Sequence, residues 1–494
     1  MKNFEDLQEY IKFLDKKGEL ITIDAPVEKE LMITEIADRV VKSSGKTLLF
    51  TNVIGNGGKK LDIPLVINLF GSKMKMANAL GVDNLNEIGE RVEKFTKLKP
   101  PSKGLWAKLE MVPQLKEVLK FPPKEVKKGR SQEIFLTGDD IDLDKIPIMK
   151  CWPNDAGNFI TLPMVITKDP ESGITNCGMY RMQQFDKKST GMHWHRHKGG
   201  ALHYEKAKKM GKKLEVAVVI GTDPATLYTA SAPLPPDIPE FIFSGFLRNK
   251  NLEVVKGKTV DINVPANAEI VLEGYVDPSE DLKLEGMFGD HTGYYSLDDY
   301  YPVFHITAIT MKKNPIYPST IVGIPPMEDY WMGYATERIF LPLLKMNMPE
   351  VTDMHMPPEG VFHNLIFLSI NKRYPGQAQK VINGVWGTGL MMLSKVVVVV
   401  DDDTDVQNPT EAWWVALNNI DPERDIIYSK GAIDVLDHSS REFTFGSKMG
   451  IDGTRKWKEE GFNRRWPEKV YMSDDVKSKV DNFFKENGLD KYLE

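Results

Sequence analysis

Cysteine is scarce: Cys151 and Cys177 are the only two in 494 residues. Two thiols cannot build a disulfide framework, and such usage fits a reducing compartment. No uninterrupted apolar run approaches the roughly 20 residues of a membrane-spanning helix. The N-terminus, MKNFEDLQEYIKFLDKKGEL, is charged and amphipathic and lacks the apolar core of a signal peptide. Neither sign of charge dominates. The net charge is −6 with acids and bases interspersed, which leaves no electrostatic footprint for nucleic acid. There is no internal repeat and no low-complexity tract. These absences point to a cytoplasmic globular protein. Its 41% apolar and 27% charged content suits an enzyme or binding protein, and its length allows two or three domains with full cores.

Three textures divide the chain. In residues 1–125, Phe4, Leu7, Ile11 and Leu14 mark a helical face that ends near Gly18. A short strand at 20–23, a helix through Met32, Ile36 and Val40, and strands at 47–53 and 65–70 follow. A helix opens after Gly71-Ser72 and another spans 105–120, before a basic linker at 124–130. Residues 126–320 read as short strands broken by turns, clearest at 133–136, 160–167, 214–220 and 269–274, as in an antiparallel sheet or small barrel. Residues 321–494 alternate strand and helix: a strand at 365–370, a helix at 375–390 and an all-valine strand at 396–400 that must be buried on both faces. The acids Asp401, Asp402 and Asp403 after it read best as loop starters. A last helix at 474–486 carries an apolar face through Phe483 and Phe484 that suits a partner subunit. The fold class expected is α/β (α+β), with an N-terminal α/β region, a central split β-barrel and a C-terminal α/β domain.

Chemistry concentrates in residues 176–204. Four of the nine histidines, His193, His195, His197 and His203, fall there, and the first three alternate as on one face of a strand. Lys198, Gly199 and Gly200 follow, where backbone amides can approach an anion, and Arg181 stands one strand earlier. This suits a metal held beside a phosphate; a polar strand edge with surface histidines fits the spacing equally well. Glu240 sits among Phe241, Ile242 and Phe243, either as a loop-end charge or as a buried ligand to a cation.

Glu285 and Asp290 lie five residues apart with Gly286 and Gly289 between them. A tight glycine loop lets both carboxyls converge near Arg181, where their pKa values would be pushed apart so that one holds a proton. A glycine turn with solvent-facing acids is the plainer alternative. Met287, Met327 and Met332 could line an apolar pocket or fill the core. Residues 446–454, GSKMGIDGT, pair a lysine with glycines and could reach an anion.

NCGMYRMQ at 176–183, GMHWHRHKGGALHY at 191–204, EGMFGDHTGYY at 285–295, PPEG at 357–360, VVVVVDDD at 396–403 and GSKMGIDGT resemble, in this order, the UbiD-type decarboxylases. The resemblance covers nearly the whole chain. It is nearest to the branch acting on 4-hydroxy-3-polyprenylbenzoate in ubiquinone biosynthesis.

It implies prenylated FMN and a divalent metal, usually Mn2+ and often joined by K+, bridging to the cofactor phosphate. The metal ligands would be Asn176, His197 and Glu240, hard oxygens with one imidazole. Cofactor contacts would fall on Met179, Tyr180, Arg181, His193, Trp194, His195, Lys198, Gly199 and Lys448; the family often carries arginine where His193 stands. The catalytic network would be Glu285, Arg181 and Asp290, with aspartate in place of the family's second glutamate. The implied reaction is reversible, non-oxidative decarboxylation of an aromatic or conjugated acid through a covalent adduct with the flavin, Asp290 delivering the proton.

The resemblance also implies a flavin prenyltransferase as cofactor supplier, a homo-oligomer (dimer or hexamer), and peripheral membrane association where the substrate is lipophilic. A carboxylase or decarboxylase of aromatic-acid degradation or menaquinone biosynthesis, a flavin-free metal hydrolase, and a non-catalytic flavin carrier are the alternatives.

Overall fold

The structure is a computed structural model that describes residues 3–97, 120–195, 198–234 and 238–492. Helix and strand are mixed throughout, and three sheets carry the architecture. Near the N-terminus, Leu7–Lys16 is a helix that buries Leu7, Tyr10, Ile11 and Leu14, and Asp6 caps it by accepting from the Glu9 amide at 2.9 Å. The first sheet orders the strands Leu20–Ile23, Thr47–Phe50, Leu65–Ile67 and Tyr317–Ser319. Its last strand arrives from far along the chain. The strands expected at 47–53 and 65–70 are shorter than the apolar runs suggested. The helix after Gly71 starts at Lys73, with Ser72 Oγ accepting from the Lys75 amide at 3.1 Å. The helix expected at 105–120 lies outside the described residues, except at its end.

The central sheet is antiparallel and follows the path Thr175–Met179, Pro163–Lys168, Leu214–Ile220, Ile270–Val276, Val303–Met311 and Ser189–Gly191, with Ile134–Thr137 also paired to Val303–Met311. It is an open sheet, and its described strands close no barrel. A register shift at Glu273/Gly274 bends it, and a β-carbon on Gly274 would overlap the His305 carbonyl. This sheet supplies the strands beneath the candidate site.

The C-terminal sheet places Leu365–Ile370, Val396–Asp401 and Phe445–Asp452 in parallel, with Val351–His355 and Ile426–Ala432 as antiparallel edges. Val397 to Val400 are fully buried, as an uninterrupted valine run demands of a strand covered on both faces. Helices Gln377–Trp386 and Pro409–Asn419 cover it: Gly450 meets Ile382 of the first, and Gly453 meets Ala416 of the second. Asp401 and Asp403 bind Arg455, as loop acids do.

The long helix Glu328–Asn347 joins the parts. A β-carbon on Gly89 would lie 2.6 Å from its Arg338 carbonyl, while Arg338 reaches the C-terminal sheet at Asp353, 2.7 Å away. Met327 and Met332 are buried core, whereas Met287 is exposed. The last helix, Asp474–Asn487, buries none of its residues. No helix of the described residues is long and apolar enough to cross a membrane.

Candidate active site

The strand Thr175–Met179 pairs with Pro163–Lys168, and its register carries Asn176 towards one corner and Tyr180 and Arg181 past its end. The helix Glu240–Arg248 begins at that corner, where the Cys177 amide donates to Glu240 Oε2 at 2.8 Å. Burial pushes the Glu240 carboxyl up to about 7, and no cation among the described residues pairs with it. Asn176 Nδ2 is likewise buried without a hydrogen-bond partner among the described residues. Such groups are costly unless something binds them.

A second helix, Gly199–Lys209, starts above Asn176. It stands where the sequence suggests a glycine turn, and His193 and His195 lie past the end of the strand Ser189–Gly191 and not on a strand face. His203 belongs to that helix, and its Nδ1 faces Thr167 Oγ1 at 2.8 Å, a structural contact. The glycines are needed for space. A β-carbon on Gly199 would overlap the Asn176 carboxamide oxygen, and one on Gly200 would sit 2.5 Å from Trp194 Nε1. The Gly200 amide donates to Tyr180 Oη at 3.4 Å. Lys198 precedes the helix. Its side chain is open to solvent yet ringed by protein, which draws its ammonium below the usual lysine value against the pull of Asp434.

Beside this corner Arg181 binds both acids. Nε donates to Glu285 Oε1 at 2.9 Å, one terminal nitrogen donates to Asp290, and the other donates to Ser296 Oγ at 3.0 Å. The guanidinium also lies over the Phe288 ring, 4.9 Å from its centre. Strand Lys283–Glu285 and bridge Phe288–Gly289 bring the acids round the glycine loop to the same cation. His193 Nδ1 meets the same Glu285 oxygen at 2.7 Å, and His193 Nε2 faces His195 Nε2 at 2.7 Å.

The electrostatics correct one expectation. Burial raises the Glu285 carboxyl, but the His193 hydrogen bond and the Arg181 charge outweigh it and hold the group below its usual value. Burial also opposes ionisation of Asp290, yet the His291 bond and Arg181 keep it well below the carboxylate range. The two acids are therefore not pushed apart, and neither stores a proton, because one guanidinium serves both. Burial and the neighbouring Arg181 lower His193, and burial with His193 and Lys198 lowers His195 further.

Of the residues read from sequence, Arg181, Glu285, Asp290, His193 and His195 form one network, and Asn176, Tyr180, Trp194, Gly199 and Glu240 form the adjoining cradle. Met179 packs beside the cradle against two core clusters. His197 lies outside the described residues. Lys448 does not join either group. GSKMGIDGT is a strand and not an anion-binding loop, and the Lys448 ammonium donates to the carbonyls of Met392 at 2.5 Å and Ser394 at 2.8 Å. Sequence reasoning missed Ser296, Tyr301, His363 and Asp329. Tyr301 packs on His193 at 4.2 Å, and burial raises Asp329 to about 7. Only the neighbour of Asp290, His291, carried a local signal.

The residues present fit a phosphate-bearing flavin with a cation. A helix N-terminus cleared by glycine suits a phosphate, and the buried Glu240 carboxylate with the Asn176 carboxamide oxygen suits a hard cation, which leaves the unpartnered Asn176 Nδ2 to donate to an acceptor. No group of three or more His, Cys, Asp or Glu among the described residues could hold a metal.

Models of three domains described for 3-octaprenyl-4-hydroxybenzoate carboxy-lyase match the chain: the N-terminal domain at residues 11–92, the Rift-related domain at 124–325 and the C-terminal domain at 330–453. An uncharacterized protein of Aquifex aeolicus is 51% identical over 489 residues, 99% of either chain. The vanillic acid decarboxylase of Sedimentibacter hydroxybenzoicus in closed form superposes with a TM-score of 0.85 at 26% identity, covering 98% of this chain and 100% of that one. An evolved dimeric form of the UbiD-class enzyme HmfF from Pelotomaculum thermopropionicum, in complex with prFMN, gives 0.78 at 27% identity over 97% and 100%. With its three domains matched in order and the carboxylate–guanidinium network in place, this chain belongs to the UbiD family of carboxy-lyases.

Proposed function

We propose that the protein removes CO₂ from an aromatic carboxylic acid of the 4-hydroxy-3-polyprenylbenzoate type, using prenylated FMN held against Asn176, Gly199 and Glu240. The observation that carries this reading is Arg181 clamped between Glu285 and Asp290 next to a cradle shaped for a phosphate and a cation. Two relatives support it, one a vanillic acid decarboxylase and the other in complex with prFMN. In this reading Asn176, Glu240 and His197 hold Mn2+, with K+ beside it, and the Gly199 and Gly200 amides with Lys198 receive the phosphate. The flavin, when bound, supplies an electron sink for the carbon that loses CO₂.

The chain's own residues do the rest. Arg181 fixes both carboxylates by a planar fork that lysine cannot reproduce. Glu285, braced by His193, holds Arg181 in place. Asp290 takes up one proton and gives it to the carbon after CO₂ leaves. The buried network excludes water that would quench the carbanion from elsewhere. A flavin prenyltransferase supplies the cofactor, the protein works in the cytoplasm and touches membranes only through a lipophilic substrate, and the exposed last helix docks a second copy.

Asp290→Asn in enzyme reconstituted with prenylated FMN should lower turnover by about a hundredfold or more while the flavin band is retained. A fully active variant would refute the acid. Product formation from prenylated hydroxybenzoates against simple aromatic acids, including the reverse carboxylation, decides the substrate.

A further inference from the structure

Asp290 is ionised at rest, so it needs a proton before each delivery, and the structure holds a path for one. His291 Nδ1 lies 3.0 Å from Asp290 Oδ1, and His291 Nε2 lies 3.1 Å from His363 Nε2. An ionised carboxylate only accepts, so His291 Nδ1 carries a proton. The two facing Nε2 atoms share one proton between them. With His291 neutral, that proton belongs to His363, which leaves His363 Nδ1 bare. This atom is buried without a hydrogen-bond partner among the described residues. In that neutral state every N–H in the row points towards Asp290.

We propose that His291 and His363 form a relay that returns a proton to Asp290 in each turnover. A proton arriving at His363 Nδ1 releases the Nε2 proton to His291 Nε2, and His291 gives its Nδ1 proton to Asp290. One proton enters, Asp290 becomes the neutral acid, and both imidazoles end neutral with exchanged tautomers; no other bond changes. The relay rests on the decarboxylase reading, in which each CO₂ released costs Asp290 one proton.

The surroundings suit this traffic. His291 faces Asp290, Asp329, Asp434 and His363, and their carboxylates outweigh burial to favour its charged form. His363 faces His291, Asp434, Asp437 and Asn364; burial and the His291 charge lower it to about 4, so it passes protons and does not store them. The two histidines lie on turns far apart in the chain. His291 follows the short strand Phe288–Gly289, which pairs with Tyr295–Ser296, whereas His363 precedes the C-terminal strand Leu365–Ile370. Val361 and Phe362 both take left-handed backbone angles, φ 51° and 48°, which non-glycine residues rarely adopt. Phe362 packs on the His291 ring at 5.4 Å and closely beside Gly333, so the strained turn sets His363 against His291.

The test uses reconstituted holoenzyme with His363→Gln and His363→Ala, together with 15N-histidine NMR of the cofactor-free wild-type chain. The relay predicts that turnover falls about a hundredfold in both variants with KM within about twofold, and that added imidazole restores at least about tenfold to His363→Ala. It also predicts that His363 carries its proton on Nε2 once the pH is high enough to make His291 neutral. Undiminished turnover, a loss that imidazole leaves untouched, or a proton on His363 Nδ1 at that pH overturns the relay and leaves the decarboxylase standing. Wild-type holoenzyme that releases CO₂ from no aromatic acid overturns the decarboxylase reading instead. The NMR result decides for the hydrogen-bond row even if neither variant folds.

Discussion

Asn176 and Gly199 share a space that only one side chain can fill: a β-carbon at residue 199 would overlap the Asn176 carboxamide oxygen. Gly199→Ala must therefore displace a proposed metal ligand or the start of the helix above it. The expected result is about 1–3 kcal/mol of lost stability, as for other overpacked sites. FMN affinity should fall at least about tenfold. Thermal denaturation and a fluorescence titration with FMN check both, and unchanged FMN binding would count against the cradle.

Glu240 makes the metal-free protein sensitive to pH in a definite direction. Burial raises its carboxyl from 4.5 to about 7, so the folded chain keeps a proton that the unfolded chain releases. Its contribution is then complete below 4.5 and declines as pH rises towards about 7, beyond which it stays level. Across that window the metal-free wild type should lose stability relative to Glu240→Gln, by an amount on the order of 3 kcal/mol. Mn2+ should stabilise wild type more at pH above this window than below it, and should leave the variant unchanged. Urea unfolding across pH, with and without Mn2+, reads each part.

Removing the Arg181 cation should strand two buried carboxylates. The Arg181 and Glu285 side chains are only 8% and 1% exposed, so Arg181→Met is expected to cost about 3–5 kcal/mol at neutral pH. Both carboxyls are held low in the folded state, so the stability they draw from Arg181 is present above the ordinary carboxyl range and is lost as pH falls from there through their lowered folded values. The deficit of the variant should shrink on acidification. A constant deficit from neutral to acid pH would show that the guanidinium acts by packing alone.

Cys151 and Cys177 are buried, and burial raises both thiols above their ordinary value. Neither should react with Ellman's reagent in the native protein, and both should react once it is unfolded. Rapid labelling of a native Cys151→Ala chain would mean that the Cys177 strand opens beside Glu240.

The last helix exposes Val476, Val480 and Phe483. Changing all three to serine should reduce the molar mass in light scattering from that of an oligomer to that of one chain. An unchanged mass would place the proposed interface elsewhere.

The valine run at 396–400 announced a strand covered on both faces, and the face Leu7, Ile11, Leu14 announced a buried helical stripe, because periodicity is a local property of the chain. The glycine loop likewise brings Glu285 and Asp290 together from nearby sequence. Other features had no local trace. GSKMGIDGT looked like an anion loop because glycines and a lysine are equally at home in a strand when the lysine finds carbonyls, as Lys448 does. The helix at Gly199 was hidden by two glycines, poor helix formers kept here for the space they leave around Asn176 and Trp194.

By itself the sequence determined the pair of acids that converge on Arg181 and the faces that the first helix and the valine strand bury, because spacing and periodicity are local. Tertiary structure alone decided the charge state of the site. Arg181 meets Glu285 across 104 residues and His291 meets His363 across 72, so the field at each carboxyl depends on how separate sheets pack and not on any neighbour in the chain.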